Sequence, residues 1–175
     1  AASEGLALHV WTERAGADGA RAHGARRMAA QAREGGWILA EEAGRPVAGL
    51  AGHALPDPPP APPADAPPQF RPLDELEALA PGTWYVHVLA ALPEARGRGW
   101  GTRLLRVAEA IAGASGHETL SVIVADHNGG ARRLYARTGF EEAGRRRMVK
   151  DGWHCHGTEW VLMLKPLGAG GLSGP

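Results

Sequence analysis

Three glycines at every second position, in Arg96-Gly97-Arg98-Gly99-Trp100-Gly101, constrain this chain more than any other feature. This spacing disfavours both a strand and a helix interior, because each glycine adds backbone freedom that folding must remove. The glycines follow a strand-like run, Trp84 to Ala90, and precede a helix-like run, Thr102 to Ala112. A glycine turn that opens a helix gathers free amides at the positive end of the helix dipole, which suits a phosphate. We therefore predict that a phosphorylated ligand binds here. Positive charge is added by three arginines: Arg96, Arg98 and Arg103.

The spacing of this loop excludes two common phosphate motifs. A dinucleotide fingerprint needs glycine at its sixth position, where this chain has Thr102, and a P-loop ends in Gly-Lys-Ser/Thr, which Gly101-Thr102-Arg103 does not supply. The remaining pattern, Arg-x-x-Gly-x-Gly, resembles the pyrophosphate loop of the GNAT superfamily, the acetyl-coenzyme-A-dependent N-acetyltransferases. The preceding run, Leu89 to Glu94, is similar to the strand-to-loop sequence of the same family.

A second pattern, N-x-x-A-x-x-L-Y-x-x-x-G-F from Asn128 to Phe140, follows the apolar run Leu120 to Val124, which reads as a buried strand. Within it, Ala131, Leu134 and Tyr135 share one face of a short helix by their i, i+3, i+4 spacing. This pattern is similar to the second GNAT signature. Weaker similarity to a bacterial GNAT subgroup of unassigned substrate lies in three further stretches: 72–77, 82–86 and 153–163.

The predicted element order is helix, hairpin, strand, helix, strand, helix, hairpin, which favours an α/β fold with a mixed sheet flanked by helices. The resemblance, which covers roughly residues 35 to 166, implies a twisted, mostly antiparallel sheet with splayed central strands. We predict one domain over 1–175, which includes a proline-rich insertion at 56–72, a short helix near Leu73 to Ala80 and a loose tail at 167–175. Family members begin with a strand and then a helix, whereas residues 1–34 look helical in two stretches. We therefore expect either that the first strand is missing or that the sequence begins inside that helix of a longer chain. The insertion is either an inert connection or a flap over the acceptor pocket.

The resemblance implies acetyl-coenzyme A as the cofactor. Its pyrophosphate would lie on the glycine loop, and the backbone around Leu89 and Ala91 would pair with its pantetheine arm like another strand. Asn128 would support the cofactor or cap the following helix. The expected cofactor-binding residues are Leu89, Ala91, Arg96, Gly97, Arg98, Gly99, Trp100, Gly101, Thr102, Asn128 and Tyr135.

Direct acetyl transfer to an amine needs a base for the amine proton and a donor for the leaving thiolate. The family places a tyrosine near the coenzyme sulfur, and Tyr135 matches it. The strand period of two puts Tyr85, His87 and Leu89 on one face, where the first two could reach the substrate. His87 titrates nearest neutrality, so it is the preferred base, with a water chain as the alternative. The candidate catalytic residues are thus Tyr135, His87 and Tyr85.

Composition limits the partners. Lys plus Arg (19) equals Asp plus Glu (19), so no net charge attracts nucleic acid or an anionic membrane. The single cysteine, Cys155, fits a reducing cytoplasm, and His154-Cys155-His156 lacks a second ligand cluster, so no metal is expected. The expected partners are a small-molecule or peptide amine and a second copy of the chain in a homodimer. A non-catalytic coenzyme-A-binding sensor or assembly module of the same fold stays open as the alternative function.

Overall fold

One six-stranded sheet organises the part of the chain that the computed structural model describes, which is residues 5–34, 36–61 and 66–168. The helices are α1 (Leu6–Glu34), α2 (Arg71–Glu77), α3 (Trp100–Ala114) and α4 (Gly129–Arg137). The strands are β1 (Trp37–Glu42), β2 (Arg45–Ala54), β3 (Trp84–Ala91), β4 (Thr119–Ala125), β5 (Glu141–Arg147) and β6 (Glu159–Pro166). Their order across the sheet is β1-β2-β3-β4-β6-β5.

The central strands β3 and β4 diverge. They pair in parallel only from Trp84↔Leu120 to Val86↔Val122, whereas every other neighbouring pair is antiparallel. Beyond Val86 the β4-facing edge of β3 has no ladder partner among the described residues, although β3 continues to Ala91. The α/β class and the mixed, mostly antiparallel sheet with splayed central strands are therefore confirmed.

A hydrophobic cluster covers each face of the sheet. On one face, α3 and α4 supply Leu105, Ala108 and Tyr135 to a cluster that also holds Val122. On the other face, α2 supplies Leu76, which packs with the second cluster. That cluster also contains Leu6, Leu55, Ala80, Tyr85, Ala125, Met148, Trp153, Trp160 and Leu162. Because apolar area is buried on both faces, the hydrophobic pattern of each strand determines which of its side chains pack against α2 and which pack against α3 and α4.

A β-bulge at His87 changes the alternation along β3. Val86 pairs with Gly52 and Val88 with Ala51, so His87 is the extra residue between two successive pairs. Before the bulge, Tyr85 joins the α2-side cluster; after it, Leu89 packs against the α3-side cluster. The prediction that Tyr85, His87 and Leu89 share one face is therefore wrong for Leu89, because strict period two does not survive an inserted residue.

The N-terminal helix is bent as its sequence predicts. Gly16 has φ +70° and ψ 165°, so it separates two helical stretches, and Gly24 of the second stretch lies against the Trp11 ring of the first. The absence of a first strand remains a prediction. Among the described helices, none combines the length and the apolar character needed to cross a membrane.

Of the predicted insertion 56–72, the described residues 56–61 and 66–70 have no helix or strand, whereas its last two residues belong to α2. Helix α2 then begins at Arg71, two residues earlier than predicted, because Pro72 occupies its first turn, where a missing N–H costs no intrahelical hydrogen bond. Of the predicted loose tail, residues 169–175 lie outside the described residues.

Candidate active site

The glycine loop presents free backbone donors. Gly97 has φ +74° and Gly99 has φ +83°, conformations that glycine adopts readily and other residues do not. Gly99 is the N-cap of α3 and offers no side chain to cap it. The first amides of α3 therefore have no intrahelical acceptor and point outward at the positive end of the helix dipole. This arrangement can accept an anion through main-chain atoms alone.

A cavity of about 840 Å³ lies where β3 and β4 diverge, in front of this loop. Of the predicted cofactor-binding residues, all but Arg98 and Thr102 line it. The lining comprises Leu89, Ala90, Ala91, Ala95, Arg96, Gly97, Gly99, Trp100, Gly101, His127, Asn128, Gly129, Gly130, Ala131, Arg133, Leu134, Tyr135 and Arg137. The indole N–H of Trp100 is buried and has no acceptor among the described residues. The cavity thus joins both sequence motifs to the free edge of β3.

Two of the three predicted arginines are engaged elsewhere. Arg98 forms an ion pair with Glu42 of β1 at 2.7 Å between Nη1 and Oε2, and the guanidinium of Arg103 stacks on the Trp100 ring, 4.9 Å from its centroid. Arg96 does line the cavity, and its Nε lies 3.4 Å from the carbonyl oxygen of Ala91.

Additional positive charge comes from α4. Arg133 and Arg137 line the cavity, and our sequence reasoning did not select them. The available signal was their i, i+4 spacing on the helix that carries Tyr135, which places both on one face. Together with Arg96 they give the mouth of the cavity a cationic rim.

Helix α4 holds Tyr135 against the cavity. The side-chain oxygen of Asn128 accepts a hydrogen bond from the Ala131 amide at 3.2 Å and so caps the helix. Tyr135 is 5% exposed and packs against Phe140, with ring centroids 5.5 Å apart. Its hydroxyl has no hydrogen-bond partner among the described residues, and burial raises the pKa of Tyr135 to about 12. The phenol therefore keeps its proton near neutral pH and is free to donate it.

A three-ring cluster lies near the bulge of β3. The ring centroids are 5.5 Å apart for His53 and Tyr85, 5.9 Å for Tyr85 and His87, and 6.0 Å for His53 and His87. Burial lowers the pKa of His53, and burial together with His53 lowers the pKa of His87. Burial and the Glu77 carboxylate raise the pKa of the Tyr85 phenol. Near neutral pH, two imidazoles able to accept protons thus flank a protonated phenol.

His53 is a site residue that sequence reasoning missed. It belongs to β2 and lies opposite Tyr85 in the β2–β3 ladder. The hairpin and strand that carry these residues were predictable, but the register that joins them was not.

A smaller cavity of about 180 Å³ lies beside this cluster, between the end of β2, the proline-rich segment and α2. It is lined by His53, Leu55, Pro56, Pro59, Pro60, Ala61, Asp74, Glu77 and Ala78. Burial, reinforced by the Asp74 carboxylate, raises the pKa of Glu77 to about 7, and burial also raises the pKa of Asp74. Two poorly solvated carboxyl groups thus face one small space.

The His154-Cys155-His156 stretch makes no metal cluster with other side chains in the described ranges. The Cys155 thiol lies 3.4 Å from the Met148 sulfur and donates to the Gly157 carbonyl at 3.6 Å. The prediction that no metal binds stays a prediction.

Comparisons with known proteins agree with this geometry. The profile of the Acetyltransferase (GNAT) family matches residues 7–140. A GNAT family acetyltransferase from Elizabethkingia anophelis, solved with acetyl-CoA bound, is similar in fold: the TM-score is 0.54 at 16% identity, covering 81% of this chain and 83% of the other. The ribosomal-protein-S18-alanine N-acetyltransferase of Escherichia coli has a TM-score of 0.57 at 18% identity, and the match covers 85% of this chain and 81% of the other. An N-acetyltransferase from Staphylococcus aureus Mu50 has a TM-score of 0.55 at 16% identity, and the match covers 85% of this chain and 77% of the other. No curated protein has significant sequence similarity to this chain.

Proposed function

Because this chain belongs to the GNAT acetyltransferase family, whose cofactor is acetyl-coenzyme A, we propose that it acetylates a primary amine of a small molecule or peptide by direct transfer. One observation carries the proposal. A cavity that unites the amide donors of the glycine loop with the Tyr135 hydroxyl opens where the sheet splits, and His87 stands at the bulge of the same strand that lines it.

The residues of the large cavity suit coenzyme A. The amides that begin α3 would hold the pyrophosphate, with the buried Trp100 N–H as a further donor. The unpaired edge of β3 at Leu89 and Ala91 would hydrogen-bond the pantetheine arm, since each free backbone group there needs a partner. When bound, the cofactor supplies the acetyl group as a thioester, which an amine can attack.

The proton movements are assigned to side chains of this chain. An alkyl ammonium must lose a proton before its nitrogen can form a bond to the acetyl carbon, and neutral His87 accepts that proton directly or through one water. As the carbon–nitrogen bond forms, the carbon–sulfur bond breaks. Tyr135, protonated and unpartnered, donates to the departing sulfur. Tyr85 keeps its proton, and its ring contacts the rings of both histidines edge-on, where it orients them.

The proposal is tested by following thiol release from acetyl-coenzyme A across a panel of primary amines. We expect release that depends on the amine, with the acetylated amine detected by mass spectrometry. The variant Gly99→Glu should abolish coenzyme binding, because it places a negative charge in the anion site and a side chain at φ +83°. Its matched control is Gly113→Glu, at the far end of α3, where nothing lies within 4 Å. Tight coenzyme binding without transfer to any amine would instead support the binding-module alternative.

A further inference from the structure

The two carboxyl groups of the small cavity lack a cation. Asp74 and Glu77 lie on α2, and none of the described lysines or arginines is within ion-pair distance of either. Glu75, between them on the same helix, points outward and pairs with Arg146 at 2.7 Å. The helix therefore neutralises its outward carboxylate and leaves the pair that faces the cavity without a counter-charge. Partial burial of two neighbouring carboxylates is unfavourable unless a cation joins them.

Tyr85 gives an independent sign of a ligand. The residue is 6% exposed, and no described residue hydrogen-bonds its hydroxyl, so this group is open to a partner from outside the chain. Its ring stands edge-on to His53, which lines the small cavity, at an interplanar angle of 87°. Burial and the nearby Glu77 carboxylate raise the pKa of this phenol, so it keeps its proton.

The remaining walls select against anions and against hydrogen-bond acceptors. Pro56, Pro59 and Pro60 carry no backbone N–H, so this wall offers apolar surface and no main-chain donor. The other polar groups that line the cavity are two carboxyl groups and an imidazole. An ammonium group, which has three donors and no acceptor, matches this set, and an alkyl chain matches the proline wall.

The small cavity lies near His87, the proposed base. His53 lines it, and the His87 ring lies 6.0 Å from that of His53. Two residues after His87, Leu89 lines the large cavity. A volume of about 180 Å³ is below the roughly 300–1,000 Å³ typical of complete ligand sites, so the small cavity holds one end of a molecule.

We propose that this cavity binds the non-reacting ammonium group of a short aliphatic diamine, held by Asp74 and Glu77, while the other amine reaches His87. This inference rests on the proposed function, because it names the acceptor class of the same enzyme. The reaction converts one ammonium into an acetamide: the nitrogen gains the acetyl carbon and loses two protons, one to His87 before the attack and one that replaces the proton Tyr135 gives to the departing sulfur. The coenzyme leaves as the thiol, and His87 passes its proton to water. The second ammonium keeps its charge and its two carboxylate partners throughout.

The test compares amines of equal carbon number that differ only in the second charge. Thiol release is measured with 1,4-diaminobutane and butylamine, and with the corresponding three-, five- and six-carbon pairs. We expect kcat/KM for the best diamine to exceed that of its monoamine by about tenfold or more, the size of one well-formed charged hydrogen bond. In Asp74→Asn/Glu77→Gln the ratio should fall toward one, whereas Glu75→Gln, which breaks only the outer ion pair, should keep it.

A binding measurement separates recognition from chemistry. Calorimetric titration of the best diamine into the protein saturated with coenzyme A should show binding that the double variant loses. Thermal unfolding checks that the double variant is folded. Equal kcat/KM for diamines and monoamines, faster acetylation of peptide amines, or a preference retained in the double variant would overturn this inference and leave the proposed function standing. Coenzyme binding with no thiol release for any amine would overturn the proposed function and this inference with it.

Discussion

Gly101 of α3 lies directly against Leu134 of α4: a methyl group added to Gly101 would stand 2.7 Å from Leu134 Cδ2. The contact joins the glycine loop to the helix that carries Tyr135, so the two sequence motifs meet in space. Because Gly101 has no side chain, the glycine loop and the helix that carries Tyr135 can lie this close together.

Replacing this glycine should disturb the site. Gly101→Ala forces Leu134 or α4 to move and should cost about 1–3 kcal/mol of stability, as overpacking does, and it should weaken coenzyme A binding. The double variant Gly101→Ala/Leu134→Ala should recover part of the lost stability and part of the lost coenzyme A affinity, because it removes the clashing atoms. Gly113→Ala on the same helix, with nothing within 4 Å, is the control. Thermal unfolding and calorimetry measure the effects; additive losses in the double variant would contradict the contact.

Removing the Tyr135 hydroxyl should affect chemistry alone. Tyr135→Phe keeps the ring and its packing on Phe140, and the lost hydroxyl has no partner among the described residues, so stability and coenzyme affinity should hold. We expect kcat to fall by about 100-fold, as for loss of a general acid. Steady-state kinetics and titration of coenzyme A separate the two quantities. Unchanged kcat would remove Tyr135 from the mechanism.

The arginines of α4 should contribute to coenzyme affinity. Arg133 and Arg137 line the large cavity, so replacing either by Gln should weaken coenzyme A binding by about tenfold, the loss expected for one charge-assisted hydrogen bond. Arg106→Gln, on the exposed side of α3, is the matched control and should bind normally. Calorimetry at low and high salt measures the effect, which should shrink as salt screens the charges. Equal affinity in all three variants would show that the rim does not bind the cofactor.

Glu77 should make stability depend on pH. Its pKa is about 7 in the folded protein and near 4.5 when unfolded, so the native state holds an extra proton between these values and loses stability as pH rises through them. Asp74 and Tyr85 face the same carboxyl group from α2 and β3, and His53 lines the same cavity. Glu77→Gln removes the penalty and should stabilise the protein by about 1–2 kcal/mol above pH 7, allowing for solvent screening, and little at pH 4.5.

Thermal unfolding of both proteins from pH 4.5 to 8 measures this difference, with Glu75→Gln as the control. A stabilisation that does not grow with pH would show that Glu77 is not forced to carry charge in a poorly solvated place. Added diamine should reduce the difference between the two proteins at pH 8, because it supplies the missing counter-charge.

Local patterns predicted the fold and most of the large cavity. The positions of Gly97, Gly99 and Gly101, and the spacing of Asn128 to Tyr135, express turn and helix rules that act within a few residues. The mixed, mostly antiparallel sheet with splayed central strands followed from the resemblance that those motifs carry. Local rules also placed α2, within two residues at its start.

The acceptor side required contacts that spacing does not encode. His53, Glu77 and His87 come from β2, α2 and β3, and only the register of the sheet and the packing of α2 bring them together. The bulge at His87 arises from a mismatch with β2, so β3 read alone predicted the wrong face for Leu89. Likewise, Arg98 was predicted at the cofactor site by its neighbours in sequence, but it pairs with Glu42 of β1.

The short seam between β3 and β4 divides the sheet into two blocks of three strands that are consecutive along the chain. Across it, the ladder runs from Trp84 to Val86, and the Thr83 and Ser121 hydroxyls meet at 2.7 Å. Past that point the ladder between described residues does not join the blocks, and the large cavity is lined by β3 of one block and by α4, which links β4 to β5 of the other. A molecule bound in the gap would link the two blocks of strands. The protein should therefore be most stable while that molecule is bound.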